Sequence, residues 1–348
     1  GANVLALHGC DYTDFRPIIA ATLRSCLNLS PFPPGPWDEL SEWFGLSSEE
    51  TKPVNKPNVI SSQGGGYYAL TKGDWLATVR CHTYKDRPAH ADMLHVDLWY
   101  SNEPIFIDGG TYSYNDPDGM GDYFKSTEAH NCVMVSCASQ MIKGSRFLWL
   151  DWTKSKLLDL RGARESRRGT GGGSSPRGSL TDVEPYEFDG EHFGYRSRFG
   201  VTHRRHVTLE RTYAQIVDTL ICNRPGQKSQ IMQVTWRSPL KIVEIDENTF
   251  AVGNYKVELE LPEGASVAII DEGRLAEYST CYGELLSGYA LKITWKGANS
   301  ILRTRIKPLS ERESELDPPE PRRYMEEDEP WPRTGQGRPK SAGPKLHP

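Results

Sequence analysis

Residues 87–135 read RPAHADMLHVDLWYSNEPIFIDGGTYSYNDPDGMGDYFKSTEAHNCVMV, and the fold class follows from their alternation. In MLHVDLWY, Leu94, Val96 and Leu98 fall on one face while His95, Asp97 and Trp99 fall on the other, the period of a half-buried strand. Ser101 to Pro104 turns the chain, and IFIDGGTY returns as the next strand. Asn115 to Gly119 is turn chemistry, and NCVMV resumes the apolar run. His90, Asp108 and His130 stand at the ends of these runs, where a sheet protein collects a site.

Outward from this stretch the same period continues. YYALTKGDWLATVRC (67–81) predicts two strands joined at Lys72-Gly73-Asp74. After RFLWLDWTKSKLLDL, residues 161–181 (RGARESRRGTGGGSSPRGSLT) offer almost nothing to bury and predict a flexible surface insertion. Strands resume with GYRSRFGVTHRRHVTLERTYAQIVDTLIC and run through SILRTRI. Many short strands at close spacing indicate a large antiparallel β-sandwich. Residues 308–348 are charged and Pro-rich, an expected disordered tail. At the other end, Ile18, Ile19, Leu23 and Leu27 follow a helical spacing that Asp14 can cap, and Trp37–Leu46 suggests a second short helix. Two such helices cannot bury their own faces and must dock on something else. The expected organisation is therefore a helical segment at 1–46, a polar connector at 47–64 and a β domain at 65–307.

The chain has 348 residues, 37% of them hydrophobic and 10% aromatic, enough for a large core. A net charge of −5 gives no basis for nucleic-acid binding. Cys10, Cys26, Cys81, Cys132, Cys137, Cys222 and Cys281 form no CxxC pair, and their odd number favours free thiols over a disulfide framework or a zinc ribbon. There is no signal peptide and no apolar run long enough for a transmembrane helix. The opening GANVLALHGC lacks Met and looks cut from something longer.

His90, Asp108 and His130 offer imidazole and carboxylate, a set suited to a divalent metal such as Zn²⁺ with a fourth position open. The alternative is a hydrogen-bonded network inside the sheet. His95 and Asp97 share a strand face and either support that site from behind or form a surface pair. His203 to His206 (HRRH), with Arg204 and Arg205, either faces an acidic ligand or is a solvated strand face.

These residues carry a resemblance. His90-Ala91-Asp92, the strand to Trp99, the DGGTYSY turn at 108–114 and YFKSTEAHN at 123–131 resemble the C-terminal β domain of the heparinase II/III-like polysaccharide lyases. GSRFLWLDW (144–152), DGEHFGY (189–195) and the following HRR resemble its later strands, and CDYTDFRPIIAATL with PPGPWDE resembles the last helices of the (α/α) toroid that precedes it. The resemblance covers roughly residues 3–306, apart from the insertion. It implies a mainly β chain with a short helical remnant of the toroid, the rest of the toroid being a missing partner, and a bacterial envelope or periplasmic setting. It also implies β-elimination at uronic-acid residues of an acidic polysaccharide, a heparan- or alginate-like glycan. Residue by residue, it makes His90, Asp108 and His130 metal ligands and Tyr123 the best phenol acid, with Tyr112 and Tyr114 behind it. Asn131, His192, Arg204 and Arg205 become substrate contacts. The family's lyases commonly carry a catalytic His two positions before the first ligand, where this chain has Pro88, and His82 is the nearest substitute. That departure keeps open a second reading, a non-catalytic metal-braced domain that binds acidic glycan or assists assembly of envelope polysaccharide.

Overall fold

The computed structural model describes residues 8–11, 14–46, 57–116, 118–145, 147–162, 184–224, 229–297 and 299–309. The expected insertion and tail lie outside them, except for residues 161–162 and 308–309 at their edges. The N-terminal part forms helices Arg16–Leu27 and Glu39–Trp43. Asp14 accepts the Arg16 N–H and guanidinium from just outside the first helix, whose N-cap position is Phe15. Asn28 closes that helix in the left-handed region at φ 54°. Phe15, Ile18, Ile19, Leu27, Trp43 and Phe44 are all exposed, so the helices keep an apolar face uncovered.

The rest is mainly β and antiparallel throughout. A five-stranded meander runs through Val59–Ser62, Tyr67–Lys72, Trp75–Arg80, Val96–Tyr100 and Glu103–Phe106 in sequence order. Its first strand falls within the segment expected to be a connector. The polar VISS is held by backbone pairing, with Val59 opposite Leu70, so periodicity had little to mark it. An eight-stranded sheet is ordered Ile242–Asp246, Thr249–Val252, Tyr255–Glu260, Ser300–Pro308, Ala214–Cys222, Val201–Leu209, Tyr186–His192, Ser155–Arg161. A four-stranded sheet is ordered Ser266–Ile270, Tyr289–Gly297, Gln230–Ser238, Val133–Val135.

One continuous core joins the three sheets. Tyr68 of the meander meets Phe188 of the eight-stranded sheet at 5.3 Å between ring centroids, and Phe106 stacks on Trp236 of the four-stranded sheet at 5.1 Å. The Arg205 guanidinium lies 5.0 Å over the same Trp236 ring. The three faces therefore converge near residues 94–108, 131–135 and 205–237. Among the described residues no helix is long and apolar enough to cross a membrane.

Candidate functional site

The site forms where three strand ends meet. His95 directly precedes the strand Val96–Tyr100, Asp108 follows Glu103–Phe106 by two residues, and His130 precedes Val133–Val135 by three. Close approach of these ends depends on two glycines. A Cβ on Gly109 would stand 2.5 Å from the Ala129 carbonyl oxygen, and one on Gly110 would stand 2.0 Å from that of Ser279. Gly110 also has φ +85°, which L side chains rarely adopt. Only a backbone this bare lets the Gly109 N–H reach Ala129 at 3.1 Å and bring Asp108 against His130.

Asn131 fastens the junction. Its amide donates to the carbonyls of Val96 and Ile107 at 2.9 and 3.0 Å, and its Oδ1 accepts the Arg237 N–H at 2.9 Å. All its side-chain polar atoms are engaged and it is wholly buried. The expected substrate contact is thus corrected: Asn131 holds backbone from two sheets together.

The polar cluster has a definite order. The Asn131 backbone N–H donates to His95 Nδ1 at 3.0 Å, so the His95 proton sits on Nε2. That nitrogen lies 3.1 Å from Asp97 Oδ1 and 3.3 Å from Asp108 Oδ2. Asp97 Oδ1 also accepts the Asp108 N–H at 2.8 Å. His130 Nδ1 donates to Asp108 Oδ2 at 2.7 Å, which leaves its Nε2 to accept from His90 Nδ1 at 3.3 Å. Burial would raise the Asp108 carboxyl, but His130 and His95 hold it far below the usual range. Burial, then His130, lowers His90 to about 4, so it is neutral at physiological pH. Among the described residues no partner takes His90 Nε2, so that lone pair is available to a proton or a cation.

His95, Asp108 and His130 each offer a ligand atom within 4.8 Å of the others. His90 approaches from the opposite nitrogen of His130. The 3.3 Å between their facing nitrogens is close to the spacing of two imidazoles on one tetrahedral zinc, roughly 3.3 Å at Zn–N distances near 2.0–2.1 Å. Two donor sets therefore fit a divalent metal as alternatives, His95 and Asp108 with His130 Nδ1, or His90 with His130 Nε2.

The remaining candidates separate from this cluster. Tyr123 is buried, and its hydroxyl donates to the Arg274 carbonyl and accepts from Arg237 Nη2, both at 2.8 Å. Burial pushes the phenol up to about 12 despite Arg237. His82 is partly buried with its ring edge-on to Tyr84 at 5.3 Å, and burial, then Arg80, lowers its pKa. Tyr84 ties it to the site loop, sharing its hydroxyl between the His90 carbonyl (3.0 Å) and Asp92 (2.8 Å). Tyr112 packs on Phe124 and Tyr114 on Tyr282.

His192 and Arg205, expected to face a substrate, are instead fully buried. The Gly194 N–H donates to His192 Nδ1 at 3.2 Å, so His192 Nε2 donates to His203 Nδ1 at 3.1 Å and His203 Nε2 donates to Asp218 at 2.6 Å. Arg205 clamps both Asp218 oxygens at 2.7 and 3.0 Å and reaches the carbonyls of Leu94 and Asn131. The HRRH run is therefore split: His203 and Arg205 face the core, while Arg204 and His206 share the outward face, paired with Asp189 and, at 3.8 Å, with Glu187. Asp218 and Arg237 went unmarked in the sequence reading, although Asp218 interrupts the apolar IVDTLI, where a buried carboxylate demands a cation.

The sequence matches the Heparinase II/III-like, C-terminal family over residues 55–279. Among solved structures, the chain is similar to a heparan sulfate lyase from Pedobacter heparinus (TM-score 0.60, 12% identity, 86% of this chain and 42% of that one). It is also similar to a heparinase III gene product (TM-score 0.57, 17% identity, 78% and 39%) and to a further heparinase III (TM-score 0.55, 14% identity, 78% and 40%). The chain thus spans about two fifths of the length of these structures, and the curated proteins supply no match. With the match covering well over half of it, the chain belongs to the heparinase II/III-like family of polysaccharide-lyase-like proteins, through its C-terminal β domain.

Proposed function

We propose that this chain is the β-domain portion of a polysaccharide lyase that cleaves a uronate-containing acidic glycan by β-elimination. The observation that carries the reading is the ordered His90–His130–Asp108–His95 cluster at the junction of three sheets, inside a domain of this family. In such a reaction a base takes the proton next to the uronate carboxylate, an acid protonates the departing glycosidic oxygen, and an unsaturated sugar remains. Neutral His90, with its free Nε2, is suited to hold a proton at the cluster's edge. His130 and Asp108 behind it orient the ring. A divalent metal, Zn²⁺ by donor type, would be held by His95, Asp108 and His130 Nδ1, with His90 left at the edge, and would supply positive charge and rigidity. The bacterial envelope or periplasm is the setting proposed with this activity.

A second reading, a non-catalytic metal-braced glycan-binding or envelope-assembly domain, is favoured by Pro88 and by the burial of the Tyr123 hydroxyl between Arg237 and Arg274. Incubation with heparan sulfate, alginate and other uronic-acid polysaccharides, followed by the ultraviolet absorbance of the new double bond, decides between them. A silent assay from a protein carrying the whole toroid refutes the lyase reading. Elemental analysis tests the metal separately, with His130→Ala expected to lose it. Unchanged metal content in that variant removes the cluster as the ligand set.

A further inference from the structure

Away from the His/Asp cluster, an open cleft of about 730 Å³ lies between the segment 151–154 and the short turn after His192. We propose that this cleft is a binding site for an acidic sugar chain, held by stacking on Trp152 and by ion pairs to Lys154 and Arg196. The volume is within the range of small-molecule sites. Trp152 is 37% exposed, and its indole N–H is already bonded to the Trp149 carbonyl at 2.8 Å, so what it offers a ligand is apolar ring surface. An indole face of this kind matches the C–H face of a sugar ring.

The charge of the lining selects an anion. Lys154, Arg196 and Arg224 border the cleft against one carboxylate, Asp151. Arg224 is steadied by a 2.8 Å bond to the Ser197 carbonyl, and Arg196 lies 5.7 Å from the Phe193 ring centroid. Among the described residues neither Lys154 nor Arg196 has an ion-pair partner, whereas the exposed Arg204, Arg161 and Arg303 all do. A local excess of cations on a chain of net charge −5 is an arrangement that attracts and holds a carboxylate or sulfate.

The cleft is also placed to matter to the cluster. Tyr84 lines it and bonds the His90 carbonyl at 3.0 Å, so one hydrogen bond joins the cleft wall to the loop that carries His90. Gly194 lines the other side and donates to the buried His192. The choice of a uronate- or sulfate-bearing sugar rests on the proposed lyase reading, whereas the preference for an anion rests on the lining alone.

Calorimetric titration of the intact chain with a heparan sulfate octasaccharide tests the site. A neutral dextran oligosaccharide and a single-stranded oligonucleotide of matched charge serve as competitors. The expected result is salt-sensitive binding of the octasaccharide, weakened at least tenfold by Lys154→Glu with Arg196→Glu and severalfold by Trp152→Ala, with melting temperatures unchanged. The proposal is overturned if the octasaccharide does not bind, if the double variant stays within twofold of the parent, if dextran binds equally, or if the oligonucleotide binds more tightly through the same residues. Unsaturated-product formation is scored in a separate assay. Intact binding without product counts against catalysis alone, and product without any effect of the variants on binding counts against the cleft alone.

Discussion

Replacing Asp218 with Asn tests whether the buried network is the brace of the site. Asp218 is essentially unexposed and accepts three bonds, from Arg205 Nε and Nη2 and from His203 Nε2. Burial alone would raise its carboxyl, yet Arg205 and His203 hold it down at about 2, so it is charged at any working pH. Asn offers one acceptor oxygen and one NH₂ group. Whichever way the amide is turned, the NH₂ meets a donor from Arg205 or His203. The guanidinium, wholly buried, then has no counter-charge. Leaving one partner of a buried pair alone costs about 3–5 kcal/mol, which for a domain of this size lowers the melting temperature on the order of 10 °C. Urea unfolding of the parent and of Asp218→Asn measures it, provided the slopes agree. The double change Asp218→Leu with Arg205→Met removes both charges and is expected to be less damaging than the single one. A loss under about 1 kcal/mol for Asp218→Asn would refute the argument, because it would mean that water or another anion already serves Arg205.

Three further outcomes follow from the same geometry. His90, His192 and His203 all have lowered folded-state pKa values, chiefly through burial, while an unfolded His titrates near 6.5. Below that pH the unfolded chain takes up protons that the folded one refuses, so stability present above pH 6.5 is lost as the pH falls. Each group contributes up to about 1.4 kcal/mol per pH unit, with the His90 share ending near pH 4. His95 works the other way: burial would lower its pKa, but Asp108 and Asp97 raise it, and it gains stability as the pH falls. Urea midpoints should therefore drop between pH 7.5 and 5.5 by the equivalent of up to about 3 kcal/mol, and a flat profile would contradict the assigned protonation states. Gly110→Ala, with its Cβ 2.0 Å from Ser279, should cost about 2–4 kcal/mol in denaturant unfolding. Gly73→Ala, also at positive φ but with open space, should cost about 1 kcal/mol, and equal costs would mean that backbone conformation alone matters. Tyr123→Phe deprives Arg237 of an acceptor and should destabilise by about 1–3 kcal/mol in the same assay, a neutral result showing that the bond is dispensable.

The strands nearest the site were legible because each has one buried face. Trp75–Arg80 and Val96–Tyr100 bury alternate, mostly apolar residues, and Tyr67–Lys72 does the same except that Lys72 takes a buried position. The 161–181 and 308–348 readings fall almost wholly outside the described residues. His95 and Asp97 were visible as a pair on one strand face. Their convergence on Asp108 was not, because it depends on the glycine step at 109–110 and on a residue outside the strand. The HRRH run misled for a different reason. Burial does alternate there, His203 and Arg205 inward and Arg204 and His206 outward, but all four residues are polar, so hydrophobic period gives no sign of which face is inside. The antiparallel register places Arg205 opposite Asp218, a long-range pairing that no local pattern announces.

The direction of the hydrogen bonds limits how the cluster can exchange a proton or a cation. From Gly194 through His192 and His203 to Asp218, each imidazole accepts on Nδ1 and donates from Nε2. Arg205 then holds the Asn131 carbonyl, the N–H of the same residue fixes His95, and His95 and His130 both turn a proton toward Asp108. Reversing any one of these would set two donors or two lone pairs against each other in the core, at a cost of several kcal/mol per conflict. The buried members are thus locked from the core outward. His90 is the exception among them, partly exposed, neutral and with one nitrogen uncommitted among the described residues. Any proton or cation that the cluster takes up therefore has its least costly entry at His90. Reactivity at this site should respond to substitutions in the Tyr84 and Asp92 contacts that hold the His90 loop before it responds to changes deeper in the sheets.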